Sequence, residues 1–202
     1  DNADTEVTVE AGAEPWVAVF NTPSWVQGTA RSECTTMETP INYTYYTCTV
    51  KGGGFGGATR LVKQGEGTLV LPDVEMKHSG HTDVWNGTLV FNGTMKNSPL
   101  WLNRHTKLVS AGTFRSIRAD YNATVWPAGD GTVGVLTTDT LRLGFGSRVV
   151  FDLAEGGVSD RIDTKSVSIE TKSWTYGPQY LAPVFEFKVK DIQAGRYLLC
   201  KA

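Results

Sequence analysis

The stretch that decides the fold is residues 62–71, which read VKQGEGTLVL. Its Gly-Thr-Leu unit begins at Gly67 and recurs at Gly87, 20 residues later. In both units strand-forming residues follow a glycine, which suits a tight turn before a short strand. A period near 20 residues is typical of a parallel β-helix, in which each short strand stacks on the same strand of the coil below. The stretch therefore predicts an all-β protein, wound as a right-handed parallel β-helix from about residue 61 onward.

Short runs of strand-forming residues continue beyond the second unit. The 22 glycines stand mostly between these runs, and helical periodicity is hard to find. Asn86-Gly87 and Asn92-Gly93 bracket one strand; such pairs close β-hairpins, but they also suit left-handed corners between coils. A β-sandwich is therefore the alternative fold, because the same short strands could build it. The later runs are residues 100–102, 107–110, 140–143, 148–151 and 166–169.

Residues 1–60 do not follow this pattern. Residues 1–20 alternate like a strand, and residues 21–57 are polar and aromatic and end in a glycine run. That run lacks the Gly-Lys-Ser/Thr ending and the following helix of a phosphate-binding loop, so we interpret it as a turn. The sequence predicts one module, with N-terminal strands and a cap or hairpin segment in 1–60 and β-helix coils in 61–202.

Composition limits the classes of partner. The chain has 202 residues, 40% hydrophobic and 20% charged, which is enough apolar material for a folded core. The net charge is −2 and no basic stripe is present, so nucleic acid is not an expected partner. No segment approaches the roughly 18–20 apolar residues of a membrane span, so we expect no membrane insertion. The start at Asp1 is typical of a processed terminus or an excised module.

The three cysteines are Cys34, Cys48 and Cys200, an odd number that excludes complete intramolecular pairing. Cys34 and Cys48 flank a segment that can fold back as a hairpin, so a disulfide between them is one interpretation in an oxidising compartment. The other interpretation is that all three are small buried hydrophobic residues. Their spacing does not favour a metal site.

Residues 62–71, 79–84 and 86–89 resemble the autotransporter-associated β-strand repeat, also called the passenger-associated transport repeat. That pattern has a lysine, a glycine and a Gly-Thr-Leu unit, and where it usually has Tyr-Ser-Gly or Tyr-Thr-Gly this chain has His78-Ser79-Gly80. The resemblance covers residues 61–163 and 185–199, and the chain is also similar overall to the β-helical carbohydrate-binding modules of xylanases. The resemblance implies a right-handed β-helix exposed outside the cell, and it implies no activity.

Strand alternation predicts which tryptophans point outward. If Leu100 and Leu102 point into the β-helix, Trp101 must point out, and an inward Val84 places Trp85 at a corner. An outward tryptophan exposes a large apolar surface unless something covers it.

Flat aromatic rings stack on the apolar faces of sugar rings, and neighbouring polar side chains bind the hydroxyl groups. The sequence holds six Trp and seven Tyr, and several of them fall at predicted outward or loop positions. The alternative is that these rings cover the ends of the β-helix or pack beneath residues 14–57. The predicted ligand-binding residues are Trp85, Trp101, Trp126, Trp174 and Tyr176.

No catalytic residue is predicted. β-Helical lyases and polygalacturonases cluster carboxylates, or hold calcium beside a basic residue, whereas the aspartates here are dispersed. Asp160 and Asp163 are close in sequence, but one such pair is typical of a turn. His78 and His81 could supply two metal ligands, but no third ligand is evident and solvated loop positions are favoured. We therefore expect no metal, and no cofactor; a structural calcium is not indicated by any motif.

These observations favour a non-catalytic carbohydrate-binding module of a secreted bacterial polysaccharide-degrading enzyme. We expect it to bind a plant polysaccharide such as xylan and to be covalently linked to a catalytic domain in its parent protein. The first alternative is a structural or adhesive passenger fragment at the cell surface. The second is a small β-helical polysaccharide lyase or glycosidase.

Overall fold

The computed structural model describes residues 4–22, 24–27, 42–170, 182–189 and 196–201. In these ranges the regular structure is β-strand apart from one 3-10 turn at Glu155–Gly157, which confirms the all-β class. The strands are β1 (Thr5–Val9), β2 (Val17–Asn21), β3 (Ser24–Gln27), β4 (Asn42–Tyr45), β5 (Thr47–Gly52), β6 (Arg60–Gln64), β7 (Thr68–Val70), β8 (Thr82–Val84), β9 (Thr88–Val90), β10 (Thr94–Leu102), β11 (Lys107–Val109), β12 (Thr113–Ala119), β13 (Thr124–Trp126), β14 (Val135–Leu143), β15 (Arg148–Leu153), β16 (Arg161–Ile169), β17 (Val184–Val189) and β18 (Cys200–Lys201).

Two parallel sheets of eight strands form the body of the protein. The first sheet has the order β1-β5-β7-β9-β11-β13-β15-β17, and the second has the order β2-β6-β8-β10-β12-β14-β16-β18. Each coil contributes one strand to each sheet, and every pair of neighbours within them is parallel. This architecture is the predicted parallel β-helix. A β-sandwich would need antiparallel sheets, so that alternative is excluded for the described residues. The right-handed winding stays a prediction, in line with the strong right-handed preference of parallel crossovers.

The two Gly-Thr-Leu units stack directly on one another. Thr68, Leu69 and Val70 of β7 lie in register with residues 88–90 of β9. The repeat of 20 residues is therefore one full coil, as the sequence predicts.

The β-helix begins earlier than residue 61. β1 pairs in parallel with β5, and β2 with β6, so residues 5–21 form a first coil on the same two sheets. The prediction that the coils start at residue 61 is wrong for this reason. An insertion that includes the antiparallel pair β3–β4 separates the first coil from the second. Because of this insertion, the first coil does not show the repeat spacing in the sequence.

Apolar columns fill the space between the sheets. Leu69, Leu89 and Leu108 follow one another in register on the first sheet, and all three are buried. On the second sheet Leu100 and Ile117 are neighbours in a similar buried column. Burial of each such side chain stabilises the fold by roughly 1.5–3 kcal/mol. Because side chains alternate between the two faces of a strand, the face with the apolar residues turns inward.

Lys63 stands in one of these core columns. It is buried and lies in register with Val84. Its Nζ donates hydrogen bonds to the carbonyl oxygens of Gln64 (2.9 Å), Gly65 (2.6 Å) and Asn86 (3.0 Å), so the amine links the corners of two successive coils. Burial lowers the pKa of Lys63 to about 8, with the nearby Cys48 thiol acting in the opposite direction. The lysine of the repeat pattern thus has a structural role here.

Tight corners lead from the second sheet back to the first. Turns that begin at Asn103, Asp120 and Gly144 are each closed by a hydrogen bond from the fourth N–H to the first carbonyl. At the earlier Asn86-Gly87 corner Gly87 has φ +72°, and a Cβ there would lie 2.3 Å from the Gly67 carbonyl oxygen. This Asn-Gly pair therefore turns a corner between coils and does not close a hairpin. The left-handed third residues of the three turns are His105, Asn122 and Gly146.

Two of the three cysteines lie in the described part of the chain. Cys48 is buried in the core and Cys200 is exposed, and both have free thiols. Cys34, the predicted disulfide partner of Cys48, lies outside the described residues. Within the described ranges no helix is long and apolar enough to cross a membrane.

Candidate functional site

The outward surface of the second sheet carries two exposed tryptophans. Asp83 of β8, Trp101 of β10 and Arg118 of β12 are neighbours in register and form one column. Residues two positions before or after these point to the same side of the sheet. We call the resulting patch the aromatic face, and its residues are His81, Asp83, Trp85, Trp101, Asn103, Arg118 and Asp120.

Trp101 lies at the centre of the aromatic face. It is 38% exposed, while Leu100 and Leu102 on either side of it are completely buried, as alternation predicts. The His81 ring lies 4.3 Å from the Trp101 ring between centroids, tilted by 54°. The Arg118 guanidinium lies 5.8 Å from the same ring centroid, within the range of a cation–π contact. These two contacts hold the indole in place and leave part of it open to solvent.

Trp85 follows directly after β8 and is 50% exposed, whereas Val84 before it is completely buried. Both observations agree with the predicted corner position. Trp85, just past the end of β8, and Trp101, on the adjacent strand β10, are offset by two residues, since Asp83 is the partner of Trp101. Strand spacing and rise per residue then put their Cα atoms about 8 Å apart. The aromatic face thus carries two partly exposed tryptophans on neighbouring coils.

Ion pairs surround the rings. Arg60 contacts the buried Asp83 at 2.6 Å between Nη2 and Oδ2, and Arg118 Nε lies 2.7 Å from Asp120 Oδ1. Further along the sheet Arg142 pairs with Glu170. The carboxylates of this surface are therefore partners of guanidinium groups, which they fix as hydrogen-bond donors beside the tryptophans.

Trp126, one of the predicted ligand-binding residues, does not belong to the aromatic face. It lies on the first sheet, is only 6% exposed, and its indole N–H donates to Asp152 Oδ2 at 2.8 Å. The ammonium groups of Lys107 and Lys188 each lie 4.0 Å from the centre of its ring. A ring covered in this way has no free face for a sugar. Trp174 and Tyr176, the other two predicted binding residues, lie outside the described residues.

A buried carboxylate next to the backbone of Asp152 has no signal in the sequence. Asp160 is completely buried, and it accepts hydrogen bonds from the backbone N–H groups of Gly134 (2.8 Å) and Asp152 (2.9 Å). Burial raises the pKa of Asp160 to about 6, although the two N–H donors act in the opposite direction. Asp163 is close to Asp160 in sequence, but its Oδ1 lies 2.7 Å from Arg161 Nε. The two aspartates therefore bind different partners.

His78 lies inside the β-helix, so the expectation of a solvated loop histidine is wrong for this residue. It is completely buried and its Nε2 lies 2.9 Å from Thr82 Oγ1, which in turn lies 3.0 Å from Ser98 Oγ. Burial lowers the pKa of His78 to about 4, so the ring is neutral at pH 7. His81 faces outward against Trp101. One histidine is therefore buried and the other lies on the surface. In the described part of the chain, no group of three or more His, Cys, Asp or Glu side chains is arranged to hold a metal ion.

Comparisons of the chain with protein-family models, curated proteins and solved structures gave no match. The resemblance to the passenger repeat stays an expectation. Fold and site define the class as a parallel β-helix with a partly exposed aromatic surface.

Proposed function

We propose that this chain is a non-catalytic carbohydrate-binding module that holds a plant polysaccharide such as xylan on the aromatic face. The observation that supports this most directly is the exposure of Trp101 on β10 and of Trp85 at the end of the adjacent strand β8. Single exposed apolar side chains are ordinary on a protein surface, whereas grouped ones are typical of binding surfaces. A linear glycan is a suitable ligand because it is itself long and flat, with apolar ring faces.

The contacts around the rings suit such a ligand. The C–H faces of the sugar rings would stack on the two indoles, while hydroxyl groups would receive hydrogen bonds from Arg118 and neighbouring polar groups. Arg118 is held by Asp120 in a fixed position, so little side-chain freedom would be lost on binding. Because an open surface buries only one side of the ligand, we expect modest affinity.

The charged groups of the aromatic face support a binding role over a catalytic one. A glycosidase needs one carboxylic acid and one carboxylate placed on either side of the scissile bond. Asp83 and Asp120 are each bound to an arginine, so oxygens of both carboxylates are already engaged in ion pairs. We propose accordingly that the catalytic domain belongs to a secreted parent protein, outside the cell, where the polysaccharide is met.

A structural or adhesive passenger fragment is the second candidate. The observation that favours it is Lys63, whose three carbonyl contacts give the lysine of the passenger-like repeat a role in stacking the coils. A spacer of this kind needs no glycan, so binding measurements separate the two candidates.

Isothermal titration with soluble xylan, glucan and mannan tests the proposal. We expect the wild-type protein to bind at least one of them, and Trp101→Ala and Trp85→Ala each to weaken that binding by at least about tenfold, the loss of roughly 1.4 kcal/mol. Trp16→Ala is the matched control, since Trp16 is 86% exposed and stands outside the aromatic face. It should bind like the wild type.

Circular dichroism must show that each variant keeps its fold. The absence of binding to all three polymers would contradict the proposal and favour the spacer. Release of reducing ends from a bound polymer would instead show that the chain is an enzyme.

A further inference from the structure

A polar groove of about 530 Å³ adjoins the aromatic face, at the corners where the chain passes from the second sheet to the first. Thr68, Thr88, Lys107 and Thr124 line it, and they are neighbours in register on β7, β9, β11 and β13. Three strand spacings make this row about 14 Å long. The row has the length of a short oligomer and offers hydroxyl groups along it.

Two basic side chains line the groove close together in the sequence, one just before β11 and one at its start. Arg104 and Lys107 line it together with a single carboxylate in that lining, Glu66. The Lys107 ammonium lies 4.0 Å from the Trp126 ring centre, and the Lys188 ammonium lies at the same distance from that ring. Burial and the charge of Lys188 lower the pKa of Lys107, while Asp130 acts in the opposite direction. An anion that arrives beside Lys107 would therefore be stabilised, and it would stabilise the ammonium in return.

The groove and the aromatic face meet at one corner. Asn86 and Gly87, which line the groove, follow directly after Trp85 in the chain. A glycan that stacks on Trp85 could thus extend a branch around the corner, and the row of threonines would bind its hydroxyl groups.

We propose that the groove binds the carboxylate of a uronic acid substituent, carried by the same polysaccharide whose neutral rings stack on the aromatic face. Arg104 and Lys107 form charge-assisted hydrogen bonds to this carboxylate, and the threonine hydroxyls bind the sugar. This inference rests on the proposed function, because it places the main chain of the ligand on Trp85 and Trp101.

Two oligosaccharides with the same xylose backbone, one unsubstituted and one with a glucuronic acid branch, test the inference by isothermal titration at low salt. We expect the wild type to bind the branched compound about tenfold more tightly. Lys107→Gln and Arg104→Gln should each reduce this preference, and Glu66→Gln should increase it because it removes negative charge from the groove. Lys165→Gln is the matched control, since Lys165 is exposed on the second sheet and paired with Asp139. About 0.5 M NaCl should weaken the preference through screening.

The opposite directions expected for Lys107→Gln and Glu66→Gln keep the test valid even if one variant folds poorly. The groove proposal would be overturned if the wild type bound both compounds equally. It would also be overturned if Lys107→Gln and Arg104→Gln both kept the preference. Neither result would contradict the proposal that sugar rings stack on the aromatic face. The two proposals fail differently. Binding of the branched compound alone, unaffected by Trp101→Ala, would support the groove and refute the stacking surface.

Discussion

Trp101 and Trp126 both point outward from a parallel sheet, yet one is open to solvent and the other is covered. Trp101 on the second sheet is 38% exposed, and Trp126 on the first sheet is 6% exposed. Both follow the same strand alternation, with buried Leu100 and Val125 as their preceding neighbours. The comparison teaches that alternation decides the side of a residue, while the connections between strands decide whether that side is open.

The lengths of these connections differ. The corners beside the aromatic face have three residues between β8 and β9 and four between β10 and β11, too few to fold across the sheet. Eight residues join β13 to β14 after Trp126. This longer segment lies over the first sheet, because a Cβ at Gly129 would come within 2.8 Å of the Val109 side chain. Asp130 of the same segment reaches Lys188 at 2.8 Å.

The largest expected difference between the two tryptophans is in stability. Trp126→Ala should lower the free energy of unfolding by about 3–5 kcal/mol, because it leaves a cavity and removes the partner of Asp152. Trp101→Ala should lower it by less than about 1 kcal/mol, since that ring is partly hydrated in the folded protein. Urea unfolding measures both. Similar losses in the two variants would break the comparison.

A second difference concerns the pH dependence of stability. Burial raises the pKa of Asp160, on the covered side, from 3.8 to about 6, and it lowers the pKa of His78, beneath the aromatic face, from 6.5 to about 4. The folded state therefore binds more protons at Asp160 than the unfolded chain, so that contribution to stability falls as pH rises from about 4 to 6. At His78 the unfolded chain binds more protons, so that contribution rises between about pH 4 and 6.5.

In the wild type these two contributions oppose each other. In Asp160→Asn only the His78 contribution remains, so the free energy of unfolding should increase with pH over this window by about 1–2 kcal/mol. In His78→Gln only the Asp160 contribution remains, so the free energy of unfolding should decrease by about 1–2 kcal/mol. Urea midpoints at several pH values between 4 and 7 measure the slopes. Parallel pH profiles in the two variants would contradict the assignment of these pKa shifts.

The smallest expected effect tests the covering segment itself. Asp130→Ala removes an exposed ion pair with Lys188, so the unfolding midpoint should change little. Amide hydrogen exchange should nevertheless become faster in residues 128–134, because the segment loses one of its contacts with the first sheet. Asp139→Ala, which breaks the exposed pair with Lys165, is the control and should leave that exchange unchanged. Unchanged exchange in Asp130→Ala would show that other contacts hold the segment.

The sequence predicts much of the fold because the fold is periodic. A Gly-Thr-Leu unit repeated after 20 residues gives the coil length, and apolar alternation gives the inward residues of β9 and β10. The first coil could not be predicted in the same way, since an insertion separates it from its parallel partner strands β5 and β6. Pairing over such a distance leaves no local signal.

The candidate site is predictable only in part. Trp101 and Trp85 follow from alternation and turn position, which are local properties. The burial of Trp126, Asp160 and His78 depends on segments that fold over them or on the next coil, and neither leaves a pattern of spacing. The contact of Arg60 with Asp83 likewise joins residues 23 apart, and it becomes visible only when the coils stack.

The contacts of Lys63 have a mechanical consequence. Backbone hydrogen bonds between coils run nearly along the axis of the β-helix. A pulling force along that axis therefore acts on every junction between coils. A module anchored to a solid polymer in flow would experience such a force. The Lys63 amine adds a bond from its own corner to the Asn86 carbonyl of the following coil. That junction should therefore resist separation better than a junction held by backbone hydrogen bonds alone.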